Sequence, residues 1–252
     1  MKIPVVRGII DRRILVNYHV APSVIAPLLP APFKPKVVHG LGIMGICLIR
    51  LKKVRPAFLP SWLGISSENA AHRTAVEWDD NGITREGVYV RRRDTNSRMN
   101  SLAGGRLFPG IHHHAKFTVE ESVEHFAVAL RSDDGVTSMS VRGHLTNKLP
   151  ASSLFRSIEE ASAFFQAGSL GYSATRDPAR FQSLELRCHR WQVEPLEVEE
   201  VRSSFFEDRS LFPQGSIQFD CALLLRGIEH EWHGKPDLCC EAPLAVEGLS
   251  CC

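Results

Sequence analysis

Residues 42–51, Gly-Ile-Met-Gly-Ile-Cys-Leu-Ile-Arg-Leu, constrain the fold of this chain more than any other stretch. A strand sends alternate side chains to opposite faces, and here both faces are apolar as far as Arg50. Such a strand needs cover on two sides, which a half-wet sheet cannot give it. Late in the chain Ile217, Phe219, Cys221, Leu223 and Leu225 alternate at period two. No Gly/Ser-rich or Pro-rich linker separates the two stretches, so one domain over residues 1–233 is expected, with a loose tail at 234–252.

Most of the remaining signals are also strand signals. Residues 13–20 are apolar and β-branched, and Pro22 then opens a short helical run (Val24, Ile25, Leu28, Leu29) that Pro30 and Pro32 end. Trp78 followed by Asp-Asp-Asn-Gly and Ile-Thr-Arg-Glu-Gly-Val-Tyr-Val predicts a hairpin, because an Asn-Gly turn supplies the positive φ that twisted strands require. A second turn at Asp133-Asp134-Gly135 leads into Thr137, Met139, Val141 and Leu145, an apolar face opposite Ser138, Ser140 and Arg142. Ser157-Ile-Glu-Glu160 is a capping box for a helix whose apolar stripe is Ala161, Phe164 and Phe165 and whose end is Gly168.

Charge and cysteine usage exclude several function classes. Thirty basic against 28 acidic residues leave a formal charge of +2, far from the footprint of nonspecific nucleic-acid binding. The N-terminus has no secretory apolar core, since Arg7, Asp11, Arg12 and Arg13 interrupt it, and no segment reaches the roughly 18 apolar residues of a membrane helix. A cytoplasmic protein without membrane or nucleic-acid partners is expected. Of seven cysteines, Cys47 and Cys221 read as small buried thiols. The pairs Cys239-Cys240 and Cys251-Cys252 lack metal-site spacing and suggest an exposed, oxidation-prone tail.

The candidate chemistry gathers around residues 91–116. His112 and His114 share one strand face with Lys116 while His113 faces the other way, so two imidazoles and an amine can converge on a cavity. A metal would need a further ligand that only the fold can bring, from Glu68 or His72, and no metal is assigned. His230-Glu-Trp-His233 lacks the four-residue spacing of a helical zinc motif and reads as structural. Arg91, Arg92 and Arg93 end a strand. Arg98 and Arg106 follow across a short helix built on Met99, Leu102 and Ala103 that Gly104 stops. Such guanidinium density either grips a carboxylate or phosphate or forms a solvated strand end. Nucleophile elbows, phosphate-binding loops and dinucleotide fingerprints are absent from the sequence.

Five stretches together carry a family resemblance: RRILVNYHVAPSVIAPLLP, GIMGICLIRLKKVRP, SSENAAHRT, DDNGITREGVYVRRRDTNS and HRWQVEPLEVEEV. Across residues 10–230 the chain resembles the YqjF-type uncharacterised family (DUF2071) within the acetoacetate decarboxylase-like superfamily. The resemblance implies an α+β fold, a curved and mostly antiparallel β-barrel or cone with a few short helices around a small-molecule cavity. It also implies that a Schiff-base lysine would follow Pro109, with a second lysine beside it to lower its pKa. Gly110 and Ile111 stand there instead. Lys116 lies roughly 20 Å further along an extended chain. The vicinal Lys52 and Lys53 face opposite ways where the apolar strand is expected to end.

Glu68 matches a pocket glutamate of the decarboxylases, and by alternation it shares a face with Ala70 and His72. The expected site therefore comprises Glu68, His72, Arg98, His112, His114 and Lys116 around a small polar or carboxylate-bearing ligand, with no cofactor. Glu68, His112 and His114 are the candidate catalytic groups. An ion pair of Glu68 with Arg73 or Arg85 is the structural alternative. Two other functions stay open: an enzyme acting on an oxo acid or related carbonyl compound by general acid-base chemistry, and a non-catalytic assembly module, for which a homo-oligomer would be the natural form.

Overall fold

Both apolar faces of residues 42–51 are covered because their strand belongs to a wall shared by two cores. The computed structural model describes residues 4–103 and 109–239. Gly104, Arg106, Cys240, Cys251, Cys252 and the packing of Leu102 and Ala103 lie outside the described residues. In chain order the strands are β1 (Val6–Val20), β2 (Lys34–Pro35), β3 (Val37–Val38), β4 (Leu41–Pro56), β5 (Ile65–Asp80), β6 (Ile83–Thr95), β7 (His112–Glu121), β8 (His125–Ser132) and β9 (Ser138–Leu145). They continue with β10 (Leu170–Ala174), β11 (Arg180–Cys188), β12 (Glu194–Ser203), β13 (Ile217–Gly234) and β14 (Leu238–Cys239). Among the described residues three short α-helices interrupt them, α1 (Pro22–Ile25), α2 (Arg98–Ala103) and α3 (Ile158–Ala167), with 3-10 turns at Ala26–Leu28 and Ser61–Leu63.

The wall is β13-β1-β4-β5-β6, paired antiparallel throughout. The outer edge of β6 is divided between two partners: β10 takes Val88–Val90 and β7 takes Arg93–Thr95, both parallel. β13 is divided in the same way, with β12 on Ala222–Leu224 and β11 on His230–Gly234. Two bridges therefore run from β6 to β13, a short one through β10-β11 and a long one through β7-β8-β9-β12. Each closes a curved sheet against the wall. One core holds Ile46, Leu48 and Leu224 with Phe126, Val128 and Met139. The other holds Ile43, Cys47 and Leu223 with Phe155, Ala161 and Phe165.

Local sequence signals set the corners. Asn81 and Gly82 both have positive φ in the β5–β6 turn, as a twisted two-residue hairpin demands. The Ser157 side chain accepts from the Glu160 amide at 3.2 Å, and Glu160 accepts from the amide of Arg156 at 2.6 Å, one residue earlier than a standard capping box. β4 does not end at Lys52. It continues to Pro56 through an irregularity at Lys52-Lys53, where Lys53 adopts φ +54°. Beyond residue 233, Leu238 and Cys239 pair with Phe181 and Arg180 of β11. Among the described residues no helix is long and apolar enough to cross a membrane.

Candidate functional site: an arginine-lined cavity

On the β10-β11 side of the wall lies a cavity of about 130 Å³. Its floor comes from wall residues at odd positions: Arg13 of β1, Cys47 and Ile49 of β4, Asn69 and Arg73 of β5. Phe165, Leu184 and Leu186 cover it, and Trp191 and Trp232 complete the lining. β6 reaches the cavity with Val88 and Val90, and then with Arg93. That change of parity follows from a bulge: Arg73 faces Val90 and His72 faces Arg92, which leaves Arg91 unpaired and turns Arg93 inward.

Three guanidiniums thus enter a pocket walled mainly by apolar and aromatic side chains, and their partners there are neutral. Arg13 donates Nε to the Cys47 sulfur at 3.2 Å, and its buried Nη1 has no partner. Arg73 donates Nη2 to Asn17 Oδ1 at 2.5 Å, stacks over the Phe165 ring at 5.0 Å, and leaves Nε unbonded. Arg93 donates twice to Ser173 Oγ, at 3.0 and 3.2 Å. Asp94 borders the cavity, yet its carboxylate is bonded to Arg92 on the other strand face. Among the described residues no carboxylate pairs with Arg13, Arg73 or Arg93, whereas Arg7, Arg12, Arg50, Arg92, Arg180, Arg187, Arg202 and Arg226 each have at least one.

Burial lowers the pKa of Arg73 and of Arg93 to about 10. The charge of Arg13 pushes Arg73 in the same direction, which marks the two as neighbours. Both stay protonated at neutral pH. Buried cations without counter-ions are costly, and proteins keep them where a ligand supplies the missing charge.

Of the six site residues expected from the sequence, the fold brings one to this cavity. His112 lines it beside Arg93, its partner across the β6–β7 ladder. Burial, and then the Arg93 charge, lower the His112 pKa to about 3, so the imidazole is neutral near pH 7. β7 departs from the wall after Thr95, and the face that carries His112 then turns outward. His114 bonds Asp133 at 2.7 Å, and Lys116 and Arg98 are exposed.

Glu68 and His72 sit on even positions of β5 and face the opposite core. Glu68 accepts from Arg12 Nη2 and from Arg50 Nε, each at 2.5 Å, rather than from Arg73 or Arg85. Arg12 and Arg50 both also reach Glu121, which ties β1, β4, β5 and β7 together. His72 is 3% exposed, packs against Phe205, and has no hydrogen-bond partner on either ring nitrogen. Burial first, then the charges of Arg92 and Arg91, lower its pKa to about 3.

Because the folded-state value lies below the unfolded one, His72 contributes full stability above pH 6.5 and loses it as pH falls toward 3. Between pH 7 and pH 5 the loss is about 2 kcal/mol. Urea unfolding at the two pH values is expected to show it, and His72→Leu is expected to remove that share of the pH dependence.

Arg13, Arg73 and Asn69 line the cavity without having been expected there from the sequence, in which Arg93 is one of three like neighbours. The available signal was parity. Arg73 stands between Ala71 and Ala75 on its strand face, whereas Arg13 shares sequence parity with Asp11 and only the register shift between Ile10 and Arg12 separates the two.

Family relationships follow the same lines as the geometry. The family DUF2071, described as an uncharacterized conserved protein, matches residues 10–224. This chain belongs to DUF2071. No curated protein matches the sequence. The DUF2071 chain is similar in structure to acetoacetate decarboxylase from Legionella pneumophila, with a TM-score of 0.59 at 11% identity over 91% of this chain and 86% of that one. An acetoacetate decarboxylase-like enzyme from Sphingomonas wittichii RW1 gives 0.57 at 13% identity, over 96% and 95% of the two chains. The enduracididine biosynthesis enzyme MppR complexed with pyruvate gives 0.58 at 9% identity, over 93% and 90%. At these identities the likeness establishes the α+β decarboxylase-like fold.

The backbone after Pro109 disfavours any side chain there, a lysine included. Gly110 has φ +85°, and a Cβ on it would lie 2.7 Å from Cβ of Ser173. Among the described residues no lysine lines the cavity. Lys36 lines a smaller adjoining cleft, where it pairs with Glu86.

Proposed function

We propose that this protein binds a small carboxylate-bearing organic acid in the arginine-lined cavity, on a decarboxylase-like scaffold and without amine catalysis. The observation that carries this reading is the trio of guanidiniums, Arg13, Arg73 and Arg93, facing a largely apolar space with only neutral partners. Guanidinium is the side-chain group best matched to a carboxylate, through two parallel bonds. The pyruvate held by the fold neighbour MppR supports an oxo acid as the first ligand class to try.

General acid-base catalysis has less support. Glu68 is committed to Arg12 and Arg50 on the far side of the wall. His112 is held neutral with a pKa of about 3, which suits a hydrogen-bond partner and not a group that cycles its proton near pH 7. The free thiols Cys47, Cys188, Cys221 and Cys239 support a reducing, cytoplasmic location.

Titration calorimetry with 2-oxo acids, followed by borohydride treatment and intact mass measurement, tests the reading. Saturable binding with an unchanged protein mass is the expected outcome. A reduced adduct on any lysine would place an amine in the mechanism and remove the proposal.

A further inference from the structure

The three guanidiniums are not rooted together, and their spacing says more about the ligand than their number does. Arg13 stands in register with Ile49, and Ile49 with Asn69, so the cavity floor continues from β1 across β4 to β5. Arg93 pairs with Ala71 on the far edge of β5. The Arg13 and Arg93 backbones are therefore three strand steps apart, about 14 Å at the usual interstrand spacing. Their side chains enter the cavity from backbones on β1 and β6, and Ile49 and Ala71 of the strands between them line it as well. Arg73, in the same strand as Ala71, adds a third charge to the floor.

A ligand with one carboxylate can neutralise one guanidinium and leaves the other in the cavity with neutral partners alone. The cavity volume of about 130 Å³ equals about four waters at their share of liquid volume, which limits the ligand to a small molecule with a short spacer. We infer that the cavity selects an α,ω-dicarboxylate with a short apolar or oxo-bearing spacer, one carboxylate on Arg13 and the other on Arg93. This rests on the proposed binding of a carboxylate ligand and narrows its class. Ser173, which holds Arg93 through both Nε and Nη2, fixes the distal guanidinium in place. Trp191, 6.0 Å from the Arg13 guanidinium, flanks the proximal one.

A matched pair of probes decides the matter: 2-oxoglutarate and 2-oxopentanoate share chain length and oxo group and differ by one carboxylate. Calorimetry on the full chain is expected to show 2-oxoglutarate binding at least about tenfold more tightly, with a steeper loss of affinity as salt is raised. In Arg93→Gln the advantage of 2-oxoglutarate over 2-oxopentanoate is expected to fall to within about threefold. Arg93→Lys, which keeps the charge, is expected to retain most of the advantage, and thermal melts confirm that both variants fold. Equal affinities for the two probes in the parent protein would overturn the dicarboxylate assignment and leave carboxylate binding standing. Inorganic phosphate displacing 2-oxoglutarate at lower concentration than 2-oxopentanoate does would also overturn it, in favour of a phosphate ligand. Failure of all three probes to bind at millimolar concentration would remove the carboxylate reading itself.

Discussion

Replacing Glu68 by alanine is expected to cost about 3 kcal/mol of stability, a fall in Tm of roughly 8 °C, and to leave ligand affinity unchanged. The cost arises at Arg12, which is 2% exposed and would lose its 2.5 Å carboxylate partner inside the core. Glu121, at 2.9 Å, remains to compensate part of the charge, which keeps the loss at the lower end for a broken buried pair. Arg50, partly solvated, tolerates the change. Pairing Glu68→Leu with Arg12→Leu is expected to recover most of the loss, because a buried ion pair often contributes little more than apolar residues of the same volume. Chemical denaturation of the two single variants and the double variant measures the coupling.

Arg13→Met is expected to have the opposite profile. Ligand affinity falls about 30- to 1000-fold, or about 2 to 4 kcal/mol, through loss of a charge-assisted pair in an apolar site. The unliganded protein, by contrast, gains about 1 kcal/mol. The gain has two sources. The Arg13 guanidinium has a buried Nη1 without a partner and a thiol as its one acceptor, and its charge opposes that of Arg73. A methionine fills the same space with no charge to desolvate. A denaturant midpoint that rises while calorimetric binding disappears is the combined result to look for.

How far the sequence could be read depends on which contacts are local. The doubly apolar face of β4, the Asn81-Gly82 hairpin and the Ser157 helix start are short-range patterns, and each appears where its residues place it. The site depends on longer-range facts. Arg12 and Arg13 are adjacent, yet a bulge at Asp11 and strict alternation send Arg12 to Glu68 and Glu121 in one core and Arg13 to the cavity in the other. Arg91, Arg92 and Arg93 read as one basic cluster, and only the bulge opposite His72-Arg73 separates a cavity residue from a partner of Asp94 and Asp134. The histidine run was legible as a strand, but β7 leaves the wall after three paired residues, so its face borders the cavity at His112 alone. Glu68 resembled a pocket group by position, and the face on which it lies was set by a wall with two buried sides, which a single sequence cannot orient.

One comparison tests the central claim that the arginine cavity, and not the Glu68 face, holds the ligand: calorimetric titration of 2-oxoglutarate into the parent protein, Arg13→Met and Glu68→Ala. Binding to the parent and to Glu68→Ala with closely similar affinity, and its loss in a folded Arg13→Met, is the predicted result. Binding that survives in Arg13→Met and vanishes in a folded Glu68→Ala would contradict the account.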